Sequence, residues 1–253
     1  MKTLSATFAL AVRAIRESPR QFGVEVQNIF IPLFFFFVVV GSLDGVAGRA
    51  FGVDNYAGFQ MPVAILQGVA GGATMSGMGM VLDIERGYFD KLMLTPAPRL
   101  ALVLGRLAAD GVRVMVLTLI ILAVGLVRGT GMEAGVGGGI VLVGMAGFFG
   151  LAYAGIGMSI ALRTGSPQAA QAGFLVFFPL LFLSPAFAPK ELYSDWLRFL
   201  VNINPVTYVL EGMRTLVLDG WDWEALGYAA AAICGLAAFT LTLTLLALRG
   251  RTA

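Results

Sequence analysis

The chain has 253 residues, of which 58% are hydrophobic and only 13% are charged. Soluble globular domains are roughly half apolar and about a quarter charged, so this composition excludes an ordinary soluble protein and indicates an integral membrane protein. The net charge of +2, the single cysteine and the lack of histidine argue against a nucleic-acid binder, a disulfide framework, a Cys/His metal site and a histidine-dependent hydrolase.

The first 21 residues predict an amphipathic helix. At 100° per residue, Leu4, Phe8 and Ile15 fall on one side of this helix and the basic side chains on the other. The short apolar run is followed by charges rather than by a small-residue cleavage site, which argues against a signal peptide. We therefore expect residues 1–21 to form an interface helix on the inner membrane face, ending near Pro19.

Six hydrophobic runs each approach the ~20 residues that cross a bilayer. They lack the two-residue alternation of barrel strands, and every backbone polar group in lipid needs an internal partner, so we expect helices. The predicted fold is an all-α membrane protein with six transmembrane helices, forming a single transmembrane domain over residues 1–253. The predicted spans are Val26–Leu43, Gly58–Leu82, Val112–Val127, Gly137–Leu162, Ala169–Ala188 and Ala225–Leu248.

The basic residues predict the orientation of these spans. Six spans put both termini on one side, and twelve of the 17 lysines and arginines fall on that side. Basic residues are enriched in cytoplasmic loops, so that side is expected to be the cytoplasm. We predict a multi-pass protein of a bacterial cytoplasmic (inner) membrane with both termini in the cytoplasm.

A charged cytoplasmic loop, residues 83–99, separates the second and third predicted spans and reads DIERGYFDKLMLTPAPR. Asp83 can cap a short helix with Glu85 in its first turn, and Pro96 and Pro98 stop that helix. The loop also carries apolar residues among its charges, which suits docking to a protein groove better than a simple connection. The sequence therefore predicts a cytoplasmic coupling helix here.

Three charged residues open the third span. Arg106, Asp110 and Arg113 are spaced four and three apart, so they share one helix face. We expect them to pair with one another at the cytoplasmic entrance of the span.

Polar residues also recur within the second span, every seven positions from residue 60 to residue 74, so they stack on one helix face. Such residues either hydrogen-bond a neighbouring helix or line a substrate path. Methionine and phenylalanine side chains add adaptable and bulky apolar surfaces, and without an acid cluster an amphiphilic compound fits better than an ion. The candidate substrate path consists of Gln60, Gln67, Thr74, Met78, Phe174 and Phe178.

The outer segment, residues 189–222, is too long for a simple connection between the last two spans. Its two apolar-periodic pieces break at Asn204-Pro205, because proline removes an amide donor and disfavours helix in the residue before it. We expect two short re-entrant helices, with Glu211 and Arg214 paired on the second. The candidate outer gate consists of Asn204, Pro205, Tyr208, Glu211 and Arg214.

Together these stretches resemble the permeases of ABC-2-type transporters, especially the daunorubicin-resistance (antibiotic exporter) group. The resemblance rests on DIERGYFDKLMLTPAPRLALVLGRLAAD, RAIRESPRQF, RTGSPQAAQAGFLVFFPLLFLSPAFAP and NINPVTYVLEGMRTLVLDG. It implies a half-transporter that forms a homodimer or heterodimer with a second permease and is driven by a separate cytoplasmic ATPase subunit docked on the 83–99 loop. The resemblance assigns ATPase coupling to Asp83, Glu85, Arg86, Gly87, Phe89, Asp90, Lys91, Thr95, Pro96 and Arg99.

The chain has no GxxxxGK[ST] phosphate-binding loop, and none of its three lysines follows a glycine. We therefore expect no enzymatic activity and no cofactor on this chain, with ATP and Mg²⁺ bound by the partner ATPase. The predicted function is the permease of an ABC exporter that moves an amphiphilic drug, antibiotic or lipid-like compound out of the cell, with membrane lipid as a further partner. The alternatives are a polysaccharide or lipid exporter of the same architecture, an ion-coupled secondary transporter and a structural membrane scaffold.

Overall fold

The structure is a computed structural model, and it describes residues 11–12, 22–88, 91, 94, 99–170 and 172–252. Every regular element within these residues is a helix, which confirms the predicted all-α fold. The predicted interface helix over residues 1–21 lies outside the described residues except for positions 11 and 12, and it stays a prediction.

Long helices form most of the described chain. They are α1 (Phe22–Phe51), α2 (Tyr56–Glu85), α3 (Arg99–Arg128), α4 (Gly135–Thr164) and α9 (Trp223–Thr252). Shorter elements connect α4 to α9: α5 (Pro167–Ala170), α6 (Ala172–Phe182), the 3₁₀ turn Lys190–Leu192, α7 (Asp195–Ile203) and α8 (Pro205–Leu218). Each long helix has 30 residues, or about 45 Å at 1.5 Å per residue, which exceeds the ~30 Å hydrocarbon core of a bilayer.

Five helices in the described residues are long and apolar enough to cross a membrane, and they coincide with five of the six predicted spans. The remaining predicted span, residues 169–188, corresponds to α5 and α6. Its predicted helical extent is wrong, because α6 ends at Phe182 and residues 183–189 form a succession of turns. Pro185 and Pro189 have no amide hydrogen to continue the helix. We call residues 183–189 the outer turn, and the complete six-span layout stays a prediction.

Helix α4 lies at the centre of the bundle and packs against α2, α3 and α9. Its glycines allow this close approach: a Cβ atom on Gly150 would lie 2.8 Å from Val114 of α3, and one on Gly155 would lie 2.7 Å from Thr240 of α9. The Thr240 hydroxyl donates to the Ala152 carbonyl of α4 at 2.8 Å. Small residues and interhelical hydrogen bonds are the usual means of joining helices in lipid.

Helices α1 and α2 differ sharply in burial. Most side chains of α1 face outward, including Phe30, Phe34 and Phe37, whereas α2 is enclosed by α1, α3 and α4. The Asn55 side chain caps the N-terminus of α2 by accepting from the Gly58 amide at 2.8 Å. Helix α2 is therefore an interior helix, and it carries residues of the candidate substrate path and of the coupling loop.

Candidate coupling loop, substrate path and outer gate

The cytoplasmic end of α2 does not match the predicted cap at Asp83. The helix continues through Asp83 to Glu85, and it closes with hydrogen bonds from the Arg86 amide to Leu82 and from the Gly87 amide to Ile84. Gly87 has a φ of +63°, a conformation that glycine adopts without steric cost. The helix therefore ends at this glycine, and Asp83 lies in its last turn.

Asp83 instead connects α2 to α3. Its carboxylate accepts a hydrogen bond from Arg106 Nη1 at 2.5 Å, and both side chains are less than a fifth exposed. The guanidinium lies directly over Gly79, where any Cβ atom would collide with Arg106 Nη2. We call this Asp83–Arg106 contact the inner clasp, because it joins the two helices on either side of the 83–99 loop.

The predicted three-way pairing on α3 is confirmed in part. Arg113 donates to Asp110 at 2.8 Å, as the three-residue spacing predicts. Arg106, however, crosses to α2 rather than pairing with Asp110. The spacing rule does not include an acid on a neighbouring helix, which is why this partner was missed.

The other predicted coupling residues are partly described. Glu85, Arg86 and Lys91 are exposed, and the Lys91 amide donates to the Gly87 carbonyl at 3.3 Å. Arg99 begins α3, although its side chain is outside the description. The remaining coupling positions, Phe89, Asp90, Thr95 and Pro96, lie outside the described residues, so the coupling role stays a prediction.

A small cleft lies between α1, α2 and α6. It has a volume of about 30 Å³, room for at least one water molecule, and Asn28 and Gln67 contribute polar groups to its mainly apolar lining. Buried Asn28 Nδ2 and Gln67 Oε1 have no hydrogen-bond partner among the described residues. Asn28 fits against α2 only because residue 71 is glycine, where a Cβ atom would lie 2.6 Å from Asn28 Oδ1. Phe178 closes the cleft from α6.

The structure therefore brings together two of the predicted path residues, Gln67 and Phe178, and adds Asn28, which the sequence reasoning missed. A polar pair at positions 27 and 28 inside an apolar run was the available signal. Gln60 is buried nearer the other end of α2, and Met78 is half-buried outside this cleft. The side chains of Thr74 and Phe174 are outside the description.

The predicted helix break at Asn204-Pro205 is present, with Asn204 in an extended conformation between α7 and α8. The Asn204 side chain caps α8 by accepting from the Val206 amide at 3.0 Å. Its Nδ2 atom donates to the carbonyls of Leu180 and Leu183, at 2.5 and 3.1 Å. One side chain thus begins α8 and satisfies the carbonyls left where α6 stops.

Arg214 of α8 likewise donates to backbone carbonyls, one of them in the outer turn. It is buried, its Nε donates to the Phe59 carbonyl at 3.2 Å and its Nη2 to the Pro185 carbonyl at 2.9 Å. Its guanidinium also stacks 3.5 Å above the Phe59 ring. Burial lowers the pKa of Arg214 to about 10, while the negative charge of Glu211 opposes the shift, so the guanidinium stays protonated at neutral pH.

The predicted Glu211–Arg214 pair is wrong. Glu211 forms an ion pair with Lys190 at 2.8 Å, and Arg214 is directed to backbone carbonyls instead. The reason is the outer turn, whose carbonyls lack helical partners and attract the buried donor. Tyr208, the remaining gate residue, donates from its hydroxyl to the Asn202 carbonyl at 2.5 Å.

Two tyrosines that were not predicted complete this arrangement. The Tyr56 hydroxyl donates to the Phe187 carbonyl at 3.1 Å, and the Tyr193 hydroxyl donates to the Ser184 carbonyl at 3.3 Å. Donors from α2, from residue 193 and from α8 therefore converge on the outer turn. The proline-containing run LSPAFAP was the available sequence signal for carbonyls without helical partners.

These features define a class of protein: a helical multi-pass membrane protein with a charged loop between two long helices and a donor-lined outer segment. Residues 5–218 match the family described as ABC-2 type transporter, so the chain belongs to the ABC-2 type transporter family. Members of this family are transporter permease subunits, and membership implies association with an ABC ATPase.

The more specific similarity is to drug-resistance permeases. The chain is 25% identical over 248 residues to the daunorubicin resistance ABC transporter permease protein DrrB1 of Streptomyces coeruleorubidus, covering 96% of this chain and 84% of that protein. It is also 25% identical over 211 residues to the probable doxorubicin resistance ABC transporter permease protein DrrC of Mycobacterium tuberculosis (strain CDC 1551 / Oshkosh), covering 82% and 75%. The family resemblance predicted from the sequence is thus confirmed.

Proposed function

We propose that this chain is the membrane-spanning permease of an ATP-driven exporter that moves an amphiphilic drug, antibiotic or lipid-like compound out of the cell. The family and the names of its drug-resistance relatives support this proposal. The observation that carries the mechanism is the position of α2, which passes all three candidate sites.

Helix α2 is continuous over 30 residues, or about 45 Å. Asp83 in its last turn forms the inner clasp, Gln67 borders the cleft between α1, α2 and α6, and the Phe59 carbonyl in its first turn accepts from Arg214 of the outer gate. Packed helices move as rigid elements. A displacement of the loop is therefore carried by α2 to the cleft and to the gate.

The energy for this displacement comes from a partner. In this proposal a cytoplasmic ABC ATPase docks on residues 83–99 and holds ATP and Mg²⁺, while the permease itself catalyses no reaction. Two permease chains, identical or different, pair to complete the transporter. The exposed charges of Glu85, Arg86 and Lys91 are available for contacts with the ATPase.

The lining of this cleft supports the proposal of an amphiphilic substrate. Its lining combines the amides of Asn28 and Gln67 with the rings of Phe177 and Phe178, which suits a molecule with both polar and apolar faces. A cleft of about 30 Å³ is far smaller than the ~300 Å³ of a small ligand site. In this proposal the observed conformation is the closed one, and movement of α2 against α1 and α6 opens it.

A transport assay tests the proposal. The permease is reconstituted with its ATPase into vesicles, and ATP-dependent movement of daunorubicin is followed by fluorescence. We expect transport only when both subunits and ATP are present. Transport by the permease alone under an imposed proton or sodium gradient would contradict the proposal and favour the secondary transporter.

The proposed orientation, with both termini in the cytoplasm of a bacterial inner membrane, has a separate test. Cys234 is the single cysteine of the chain, so a Cys234→Ser background accepts single reporter cysteines. In intact cells, Thr95→Cys should be protected from an impermeant thiol reagent, and Ser194→Cys should react. Labelling of Thr95→Cys would overturn the orientation.

A further inference from the structure

Helix α7 turns an apolar stripe away from the protein. Trp196, Phe199 and Ile203 are spaced three and four residues apart, so they align on one face of α7, and Leu192 lies in the 3₁₀ turn just before the helix. Each is between 56% and 67% exposed. Amphipathic helices of soluble proteins direct such a face to the core, so an outward stripe indicates an apolar medium outside the protein.

The rest of α7 divides into two further sectors. Val201 is buried, and the partly buried leucines 197 and 200 lie on the same side of the helix. Asp195, Arg198 and Asn202 are exposed on a third side, where Arg198 donates to the carbonyls of Glu191 and Tyr193. A helix with a protein side, a polar side and an outward apolar side fits the boundary where protein, water and lipid meet.

The contacts of α7 place it at the outer end of the bundle. The Tyr208 hydroxyl donates to the Asn202 carbonyl at 2.5 Å, and the Tyr208 ring lies 6.0 Å from the ring of Tyr228 on α9. Tyr228 follows Trp223, the first residue of α9, by five residues, or about 8 Å along the helix. The C-terminal end of α7 is thus level with the first turns of α9.

That level is marked by tryptophan. Trp221 and Trp223 stack with their ring centroids 5.3 Å apart, and both are exposed. Tryptophan is enriched where lipid headgroups meet the acyl chains. The stacked pair therefore marks the outer membrane interface at the level of the C-terminal end of α7.

We propose that α7 is an interfacial helix whose stripe of Trp196, Phe199 and Ile203 inserts into the outer leaflet, with the lipid surface as its binding partner. This inference goes beyond the proposed export function and does not depend on the ATPase. Three side chains at this exposure offer on the order of 500 Å², less than the ~800 Å² that each chain contributes to a standard protein interface. Lipid accordingly covers the stripe better than a second copy does.

The position of α7 gives lipid a route to the outer gate. Ile203, the last residue of the stripe, immediately precedes Asn204, whose amide donates to the carbonyls at the end of α6. Lipid contact therefore fixes one side of the break between α7 and α8.

The first test uses tryptophan fluorescence. The chain has three tryptophans, so W221F/W223F leaves Trp196 as the single reporter. The purified chain is reconstituted into phosphatidylcholine vesicles that carry bromine at acyl positions 6 and 7 or at positions 11 and 12. We expect blue-shifted emission and at least twofold stronger quenching by the shallow bromines. Emission as in water, with full quenching by acrylamide and none by either lipid, would overturn the proposal.

The second test keeps all three tryptophans. Spin labels are attached to Phe199→Cys on the stripe and to Asn202→Cys on the polar side, both in a Cys234→Ser background. Accessibility to oxygen should exceed accessibility to a water-soluble nickel chelate at position 199, with the reverse at position 202. A nickel-accessible label at 199, or efficient disulfide formation between two Phe199→Cys chains on oxidation, would overturn lipid as the partner.

Discussion

The two ends of the bundle satisfy their polar groups by different means. At the cytoplasmic end carboxylates pair with guanidinium groups, Asp83 with Arg106 and Asp110 with Arg113. At the outer end, side chains donate to backbone carbonyls in and before the outer turn. A helix that stops inside a bundle leaves carbonyls without partners, and these need donors from the protein. The inner contacts join two complete helices, whereas the outer contacts supply hydrogen-bond donors to the carbonyls left without partners where α6 ends.

This difference predicts that the outer contacts matter more for stability. The largest effect is expected for Arg214→Ala, which leaves the Phe59 and Pro185 carbonyls buried without their donor. We expect a loss of about 3 kcal/mol in the free energy of unfolding, because an unsatisfied buried group costs about 1–3 kcal/mol. Unfolding in mixed detergent micelles measures the loss.

Arg198→Ala is the matched control for Arg214→Ala. Arg198 also donates to two carbonyls, those of Glu191 and Tyr193, but its side chain is 45% exposed, so water can replace it. Its loss should change the free energy of unfolding by less than about 0.5 kcal/mol. Equal losses in the two variants would show that burial does not distinguish these arginines.

Asn204→Ala should have the next largest effect, about 2 kcal/mol. The variant loses an N-cap worth about 1 kcal/mol and also exposes the Leu180 and Leu183 carbonyls to an apolar side chain. Transport per assembled complex, the measure of the proposed gate function, should fall in this variant as well.

Pro205→Ala separates the two sources of the helix break. Proline fits the first position of α8 without strain, and alanine fits there as well, while the Asn204 contacts remain. We expect a change within about 0.5 kcal/mol and a retained break. Damage equal to that of Asn204→Ala would mean that the proline ring, rather than the asparagine, holds the gate.

Gly79→Ala probes the inner clasp and should have a smaller effect on stability. The added methyl group displaces the Arg106 guanidinium from Asp83, a partly exposed pair worth up to about 1 kcal/mol. Gly144→Ala on α4 is the control, since a Cβ atom there meets nothing within 4 Å. Gly79→Ala should be about 1 kcal/mol less stable than Gly144→Ala in the same unfolding assay. Equal stability would show that the clasp contributes nothing.

The distance along the chain between two contacting residues explains which features could be predicted from the sequence. Long helices, the Asn204-Pro205 break and the Asp110–Arg113 pair depend on residues close in sequence, and local pattern predicted them. The inner clasp joins residues 23 positions apart, and the Tyr56–Phe187 bond joins residues 131 apart. Such partners depend on how helices pack, which spacing does not reveal. The Glu211 prediction failed for the same reason, because Lys190 is a neighbour only after the outer turn has formed.

The smallest effect on stability is expected in the loop, where function should be most sensitive. Glu85 and Arg86 are exposed just beyond the inner clasp, and their replacement in E85A/R86A should change the free energy of unfolding by less than about 0.5 kcal/mol. If the ATPase binds these charges, ATP-dependent transport per assembled permease should nevertheless fall by about tenfold or more, because a loss of ~1.4 kcal/mol in docking free energy weakens binding tenfold. The control is D44A/R49A, which removes one exposed acid and one exposed arginine from the C-terminal third of α1, away from the 83–99 loop. Both variants should insert and unfold alike, and only E85A/R86A should lose transport. Normal transport in E85A/R86A would contradict the proposal that the ATPase displaces α2 through the 83–99 loop.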